Sequence, residues 1–169
     1  MVIPERITWA VEVLDVRPDE VILEIGCGNG AAVSLICERL VSGHITAIDR
    51  SEKMIALARN NNRQFLKSSR ADILHGSIET SELPSKFSKI FLFNLNVFWM
   101  DPVAELAAVR RALIASGKFY IFHNPPPGSR LEEFAEAITR NLRKNGFEPE
   151  SPIYNRDVRS LCIKSTSRR

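Results

Sequence analysis

One octapeptide constrains the fold most: Leu23-Glu-Ile-Gly-Cys-Gly-Asn-Gly30. It joins an apolar run, Val21–Ile25, to a helical pattern over residues 30–41 in which Val33, Ile36, Cys37 and Leu40 share one face. A buried strand that turns through glycines 26, 28 and 30 straight into a helix opens a βαβ unit. The glycines permit a tight turn and let a ligand approach the backbone closely. The helix N-terminus beyond them offers unsatisfied N–H groups, suited to a carboxylate or a phosphate.

The alternation continues along the chain. Gly43 stops the first long helix, and residues 44–48 read as a second strand. Ser51 is placed to cap a helix in which Met54, Ala58 and Phe65 share a face. Residues 72–75 read as a weak third strand and residues 89–93 as the strongest. Asp101-Pro102 predicts an N-cap before a first-turn proline, opening a helix through Val103, Leu106, Val109 and Leu113 that ends near Gly117. Residues 118–122 form a fifth strand. Ser129 and Glu132 are spaced as a capping box before a helix carrying Leu131, Phe134, Ala135, Ile138 and Leu142, which stops at Gly146. Two short β-like stretches, near 150–154 and 160–164, are too close together for a helical crossover and should pair antiparallel. At the front, residues 4–15 read as a helix with Ile7, Ala10, Val11 and Leu14 facing inward.

Near-continuous apolar strands alternating with helices predict an α/β fold: a doubly wound, mostly parallel seven-stranded sheet of Rossmann-like type, closed by a C-terminal antiparallel strand pair. The 169 residues make one domain, 1–169, with a leading helix in 1–16 and a frayed basic tail at 167–169. With 44% hydrophobic and 25% charged residues, a disordered or fibrous chain is excluded. No apolar run approaches the ~18 residues of a membrane span. The N-terminus lacks the order of a signal peptide, so a soluble cytoplasmic protein is expected. Three cysteines and three histidines show no metal-ligand spacing, which predicts reduced thiols and no metal site. The net charge of +3 is too mild to advertise nucleic acid. The excess lies in residues 101–169, which hold 12 basic and 8 acidic groups.

Ligands of such sheets bind beyond the carboxyl ends of the strands. Asp49 ends the second strand, where a carboxylate accepts hydrogen bonds from the two hydroxyls of an adenosine ribose. Glu24 then separates the possible ligands. It interrupts an apolar strand two residues before the first glycine, where a dinucleotide-binding strand carries an apolar residue. A buried carboxylate is costly unless paired. A ligand ammonium or the loop's own N–H groups would pair it, and a pyrophosphate would repel it. The site asks for adenosine at one end and an amino acid at the other.

Glu-x-Gly-x-Gly-x-Gly at 24–30, with Asp49 ending the next strand, resembles the class I S-adenosylmethionine-dependent methyltransferases. The approach over residues 16–28, the helix and turn over 106–118 and the closing strand pair extend the resemblance to nearly the whole chain. It implies S-adenosylmethionine as cofactor. Gly26, Cys27, Gly28, Asn29 and Gly30 would wrap the methionine part, with Glu24 beneath them. Asp49 would hold the ribose, with Arg50 and Met54 beside the adenine. Ser77 and Ile78 would border the adenine edge, and Asn94 and Leu95 would line the path to the methyl group.

Two departures qualify the resemblance. Ser77 stands where the family often has Asp. No Asn/Asp-Pro-Pro-aromatic motif follows the fourth strand, which disfavours methylation of nucleic-acid amino groups; Asn124-Pro-Pro-Pro127 follows the fifth and reads as a stiff loop. No catalytic residue is assigned. His123 sits at the ligand-bearing edge but reads first as a strand-end residue, as His75 and His44 do. Asn96, Phe98 and Trp99 are candidates for an acceptor pocket, and Trp9 for either a cover over the cofactor or core. The leading function is methyl transfer to a small-molecule acceptor. The alternatives are an RNA or protein methyltransferase and a non-catalytic binding protein of the same fold; a nicotinamide oxidoreductase satisfies the glycines but not Glu24. With no long insertion to build a lid, the acceptor site is expected to be open or completed by a second subunit, as in a homodimer.

Overall fold

The structure, a computed structural model, describes residues 2–168. Five parallel strands form in the expected order: β1 (Val21–Ile25), β2 (His44–Asp49), β3 (Ala71–His75), β4 (Phe87–Phe93) and β5 (Leu113–His123). Three antiparallel pieces follow: β6 (Phe147–Pro149), β7 (Ile153–Asn155) and β8 (Ser160–Ser167). The eight-stranded sheet runs β3-β2-β1-β4-β5-β8-β6, with β7 also on β8. The stretch expected at 150–154 is a strand only from Ile153, in β7, and β6 precedes it as a strand that was not expected. The two pair with β8 in registers one residue out of step. The break falls at Ser151-Pro152, where the proline nitrogen has no hydrogen for the ladder.

Both faces are covered. Helices α1 (Glu5–Leu14), α2 (Ala31–Arg39), α3 (Glu52–Asn61) and α4 (Arg63–Lys67) bury Val11, Leu14, Val33, Ile36, Ala58 and Phe65 on one face, against Ile22, Ile45 and Phe122. On the other face α5 (Val103–Ala112) and α6 (Leu131–Lys144) bury Leu106, Val109, Ile138 and Leu142 against Leu23, Ile90 and Phe119. The β3–β4 crossover carries no helix, and Ile78 and Leu83 of its loop pack on this second core instead. The strand order reverses between β1 and β4, so a crevice opens at the carboxyl ends of those two strands.

Local signals were overridden at several boundaries. The helix expected to unite Met54, Ala58 and Phe65 breaks at Asn62, and Phe65 sits on the separate α4. Asp101 does not cap α5, whose preceding residue is Pro102 with no side-chain cap. Val103 is exposed rather than inward-facing. The capping box at Ser129 and Glu132 does not form. Ser129 belongs to the turn before the helix, where its N–H donates to the Pro126 carbonyl (3.2 Å) and its own carbonyl accepts from Arg159 Nη2 (3.3 Å). The α5 helix ends at Ala112 rather than near Gly117, because Leu113 already pairs with Phe87. Gly117 lies inside β5, and a Cβ there would come within 3.0 Å of the Phe87 carbonyl. Arg168, expected in a loose tail, donates its N–H to the Gly146 carbonyl at 2.8 Å; Arg169 lies outside the described residues.

Lys89 has a special place. It is buried on β4, and its Nζ donates to the carbonyls of Leu14 and Asp15 (both 2.7 Å) and to Glu20 Oε2 (2.8 Å). It thereby satisfies the open carbonyls at the α1 C-terminus and ties that helix to the sheet.

Candidate functional site

The β1–α2 turn is held by backbone bonds. Gly26 and Cys27 both donate to the Ile48 carbonyl (2.8 and 3.0 Å), and Gly30 donates to that of Cys27 (2.9 Å). Gly28 has φ 54°, a left-handed value, and a Cβ there would meet nothing within 4 Å. The loop turns an open surface toward the crevice at that point. Gly30, at φ 76°, faces the opposite constraint: a Cβ would run into the side-chain amide of Asn62. That amide donates to the carbonyls of Gly30 (3.0 Å) and Ala58 (2.9 Å), while Ser34 Oγ donates to Asn62 Oδ1 (2.7 Å). Asn61 adds a bond from its amide to the Asn29 carbonyl (3.0 Å). The sequence reading missed both asparagines. Their only signal was the polar run Asn60-Asn61-Asn62, which marks a helix end without saying what it touches.

Asp49 ends β2 and is clamped on both oxygens. Oδ2 accepts the Gly28 N–H at 2.8 Å and Oδ1 the Ser51 N–H at 2.9 Å. A carboxylate has about four lone-pair positions, so each oxygen keeps one for a ligand hydroxyl. The His75 Nε2 lies 2.9 Å from the Arg50 carbonyl and steadies the same turn.

Glu24 sits on β1 between Ala47 and Phe91 of the flanking strands. It is 4% exposed, and its Oε2 has no hydrogen-bond partner. Burial, reinforced by the Asp49 charge, pushes its carboxyl up to about 8. It borders a cavity of about 280 Å³ together with Gly26, Cys27, Gly28, Asn29 and Asn94. Cys27 is buried and its thiol is raised by burial, which leaves it without nucleophilic character.

A second cavity of about 290 Å³ opens on the other side of the turn. Asp49, Arg50, Ser77, Ile78, Asn94 and Leu95 line it, all six anticipated from the sequence. Gly26 and Asn94 line both cavities, so the two adjoin at the end of β1 and β4. Asn94 takes φ 57°, and its Oδ1 accepts the Asn124 N–H at 2.6 Å. Ser77 Oγ and Thr80 Oγ1 share a hydrogen bond at 3.0 Å. Arg50 donates to Glu79 Oε1 at 2.8 Å. Glu105, also lining this cavity, is held above the usual carboxyl range by burial and by the neighbouring Glu79. Neither glutamate was anticipated, since they reach the cavity from a loop and from α5. Met54 borders neither cavity; only its backbone N–H is engaged, by the Ser51 cap at 3.3 Å.

The other candidates divide. Asn96 and Phe98, in the 3₁₀ turn Asn96–Trp99, line the second cavity; Trp99 instead packs on Phe134 (5.3 Å between ring centroids) and His123 (6.4 Å). His123 is buried against Phe134, with Nε2 unpartnered, and burial lowers it to about 4. It stays neutral near pH 7 and borders neither cavity. His44 lies between the Ser69 carbonyl and Asp72 at the far edge of the sheet. Trp9 packs edge-on against Phe122 as core. Among the described residues no His/Cys/Asp/Glu group is arranged to hold a metal ion, and no helix is long and apolar enough to cross a membrane.

Residues 22–117 match the family model of the methyltransferase domain. The uncharacterized methyltransferase YdaC of Bacillus subtilis strain 168 is 28% identical over 166 residues, covering 95% of this chain and 90% of its own. Among solved structures, a TehB-like SAM-dependent methyltransferase from Corynebacterium glutamicum ATCC 13032 superposes with a TM-score of 0.69 at 19% identity, over 96% of this chain and 88% of that one. The glycopeptide N-methyltransferase MtfA, solved with (S)-adenosyl-L-methionine, gives 0.74 at 13% identity, over 95% and 86%. Identities this low speak for the fold, whereas the family match covers the glycine turn, Asp49 and the ends of β3 and β4. The chain belongs to the methyltransferase domain family, as a class I S-adenosylmethionine-dependent methyltransferase.

Proposed function

We propose that this enzyme methylates a small-molecule acceptor, with the cofactor lying across the two adjoining cavities and the acceptor presented in line beyond Asn94. The observation that carries the reading is the meeting of the cavities at Gly26 and Asn94, with Asp49 on one side and Glu24 on the other. The residues fit the cofactor. The orphaned Oε2 of Glu24 suits an ammonium, the open face of Gly28 admits a chain against the backbone, and the free lone pairs of Asp49 suit a ribose diol. Cys27, Asn29 and Gly30 complete the turn around the methionine part. Arg50, Ser77 and Ile78 would border the adenine, and Leu95 with Asn94 would line the path to the methyl group.

When bound, the cofactor supplies a methyl group already made electrophilic by its sulfonium. The protein's task is then alignment, which contributes ~7–11 kcal/mol in favourable model reactions. Val97 and Phe98 give the second cavity an apolar wall, against which an adenine would pack. At least four of the twelve basic residues of the C-terminal part are engaged within the chain. Arg156 pairs with Glu132, Lys164 with Glu150 and Arg168 with Glu148, and Arg159 is spent on the carbonyls of Pro126 and Ser129.

The test is twofold. Calorimetry with S-adenosylmethionine, S-adenosylhomocysteine and nicotinamide nucleotides in parallel should show binding of the first two alone. An assay of S-adenosylhomocysteine release should then respond to a panel of small phenols, thiols, amines and carboxylic acids. Release driven only by RNA or by protein would overturn the acceptor class.

A further inference from the structure

Beside Glu24, the first cavity holds a second charged group that the sequence did not mark. Arg6, in the first turn of α1, borders it opposite the glycine turn. Its Nε is buried with no hydrogen-bond partner, and the side chain makes no ion pair among the described residues. The Oε2 of Glu24 is buried and orphaned in the same way. A cation and a carboxyl thus share one cavity without pairing, each with a polar atom lacking the partner that burial demands. A ligand carrying both an ammonium and a carboxylate would satisfy the two at once. The helix that presents Arg6 is a firm platform. Lys89 holds its last carbonyls, Arg39 Nη1 donates to the Val11 carbonyl at 2.6 Å, and Ala10, Val11 and Leu14 are buried.

We propose that Arg6 is a specificity-determining residue that grips the carboxylate of the cofactor's methionyl end while Glu24 takes its ammonium. This rests on the cofactor placement above. The leading helix is then part of the binding site, and the enzyme distinguishes adenosine ligands by whether they end in an amino acid. A planar guanidinium can engage a carboxylate through two parallel hydrogen bonds, whereas a lysine supplies a single point of charge.

Two ligands separate the amino-acid end from the rest. S-adenosylhomocysteine carries it; 5′-methylthioadenosine keeps the adenosine and the thioether but lacks it. Calorimetry on the wild type, Arg6→Met and Arg6→Lys is expected to show Arg6→Met weakening S-adenosylhomocysteine about tenfold or more. Arg6→Lys should fall between, and methylthioadenosine should bind all three proteins equally. Its retained binding also certifies that the variants are folded. Equal loss for both ligands would make Arg6 a structural residue and overturn the proposal, as would no loss for either, including the case in which only the acceptor KM rises. If the wild type binds neither ligand, the cofactor placement itself falls, and this proposal with it.

Discussion

Asp49 is the residue on which adenosine binding should depend most steeply. Removing it takes away two acceptors that hold Gly28 and Ser51 as well as the ligand's hydroxyls. Hydrogen bonds to a charged group contribute about 1.5–3 kcal/mol each and two would be lost, so Asp49→Ala should lower affinity for S-adenosylhomocysteine by more than about 100-fold. Asp49→Asn keeps the shape and one acceptor oxygen and should lose less; calorimetry on both variants orders them. Glu24 makes a prediction in pH. Its carboxyl stands at about 8 against an ordinary 4.5, so the free protein holds a proton there at pH 7. An ammonium set against it favours the charged form, and binding should release close to one proton. Calorimetry in buffers of different ionisation enthalpy measures this, and Glu24→Gln should abolish it. The sign for stability follows from the same shift. The folded state binds this proton more tightly than the unfolded chain, so the contribution is full below pH 4.5 and is lost as the pH rises through about 8. Glu24→Gln should therefore melt higher than wild type at pH 8.5 and gain nothing at pH 5. Both acids were legible in the sequence because their places are set by the glycines and by one strand end. Arg6, Glu79 and Glu105 were not, because only tertiary packing brings α1, the β3–β4 loop and α5 to the crevice.

At the scale of elements, two buried polar side chains do what the capping signals were expected to do. Asn62 ends α3 and fastens its end to the glycine turn, and it is fully buried with its oxygen and nitrogen both engaged. Asn62→Leu removes its side-chain hydrogen bonds to the Gly30 and Ala58 carbonyls and to the Ser34 hydroxyl. At about 0.5–1.5 kcal/mol per bond, it should cost about 3 kcal/mol in urea unfolding. It should also weaken cofactor binding, since Gly30 belongs to the turn. Lys89 behaves similarly near the amino end of β4, away from the crevice. Lys89→Met takes the donor from the carbonyls of Leu14 and Asp15 and leaves Glu20 with the Arg17 N–H but no opposite charge, and breaking one side of a buried pair costs about 3–5 kcal/mol. Glu20→Met with Lys89→Met should recover part of that loss, because the remaining acid is gone too. The elements themselves were legible from apolar periodicity, and the five parallel strands lie where the sequence placed them to within a few residues, β5 excepted. The ends were not. Ser129 and Asp101 carry capping chemistry, yet neighbouring chain segments hold Ser129 in a turn, and α5 starts after Pro102 without a side-chain cap.

For the whole molecule, topology decides what binding can do to stability. The crevice is built from the ends of β1, β2, β3 and β4, which contribute to both hydrophobic cores. A ligand spanning both cavities would contact the turns after all four strands, and α1 and α2 beside them. It should stabilise the cooperative fold rather than one loop. Linkage fixes the size of the effect: at 100 times its dissociation constant, a ligand confined to the native state adds about 2.7 kcal/mol. For a chain of this length each kcal/mol moves the midpoint by about 2–4 °C, so S-adenosylhomocysteine at that excess should raise Tm by about 5–10 °C. The shift should grow with the logarithm of ligand concentration. Reduced nicotinamide dinucleotide should leave Tm unchanged, because it carries no amino-acid end to offer an ammonium to Glu24 and a carboxylate to Arg6 in the first cavity. Differential scanning calorimetry over a range of ligand concentrations makes the comparison, and a shift with the dinucleotide equal to that with the thioether would remove Glu24 as the arbiter between the two ligand classes.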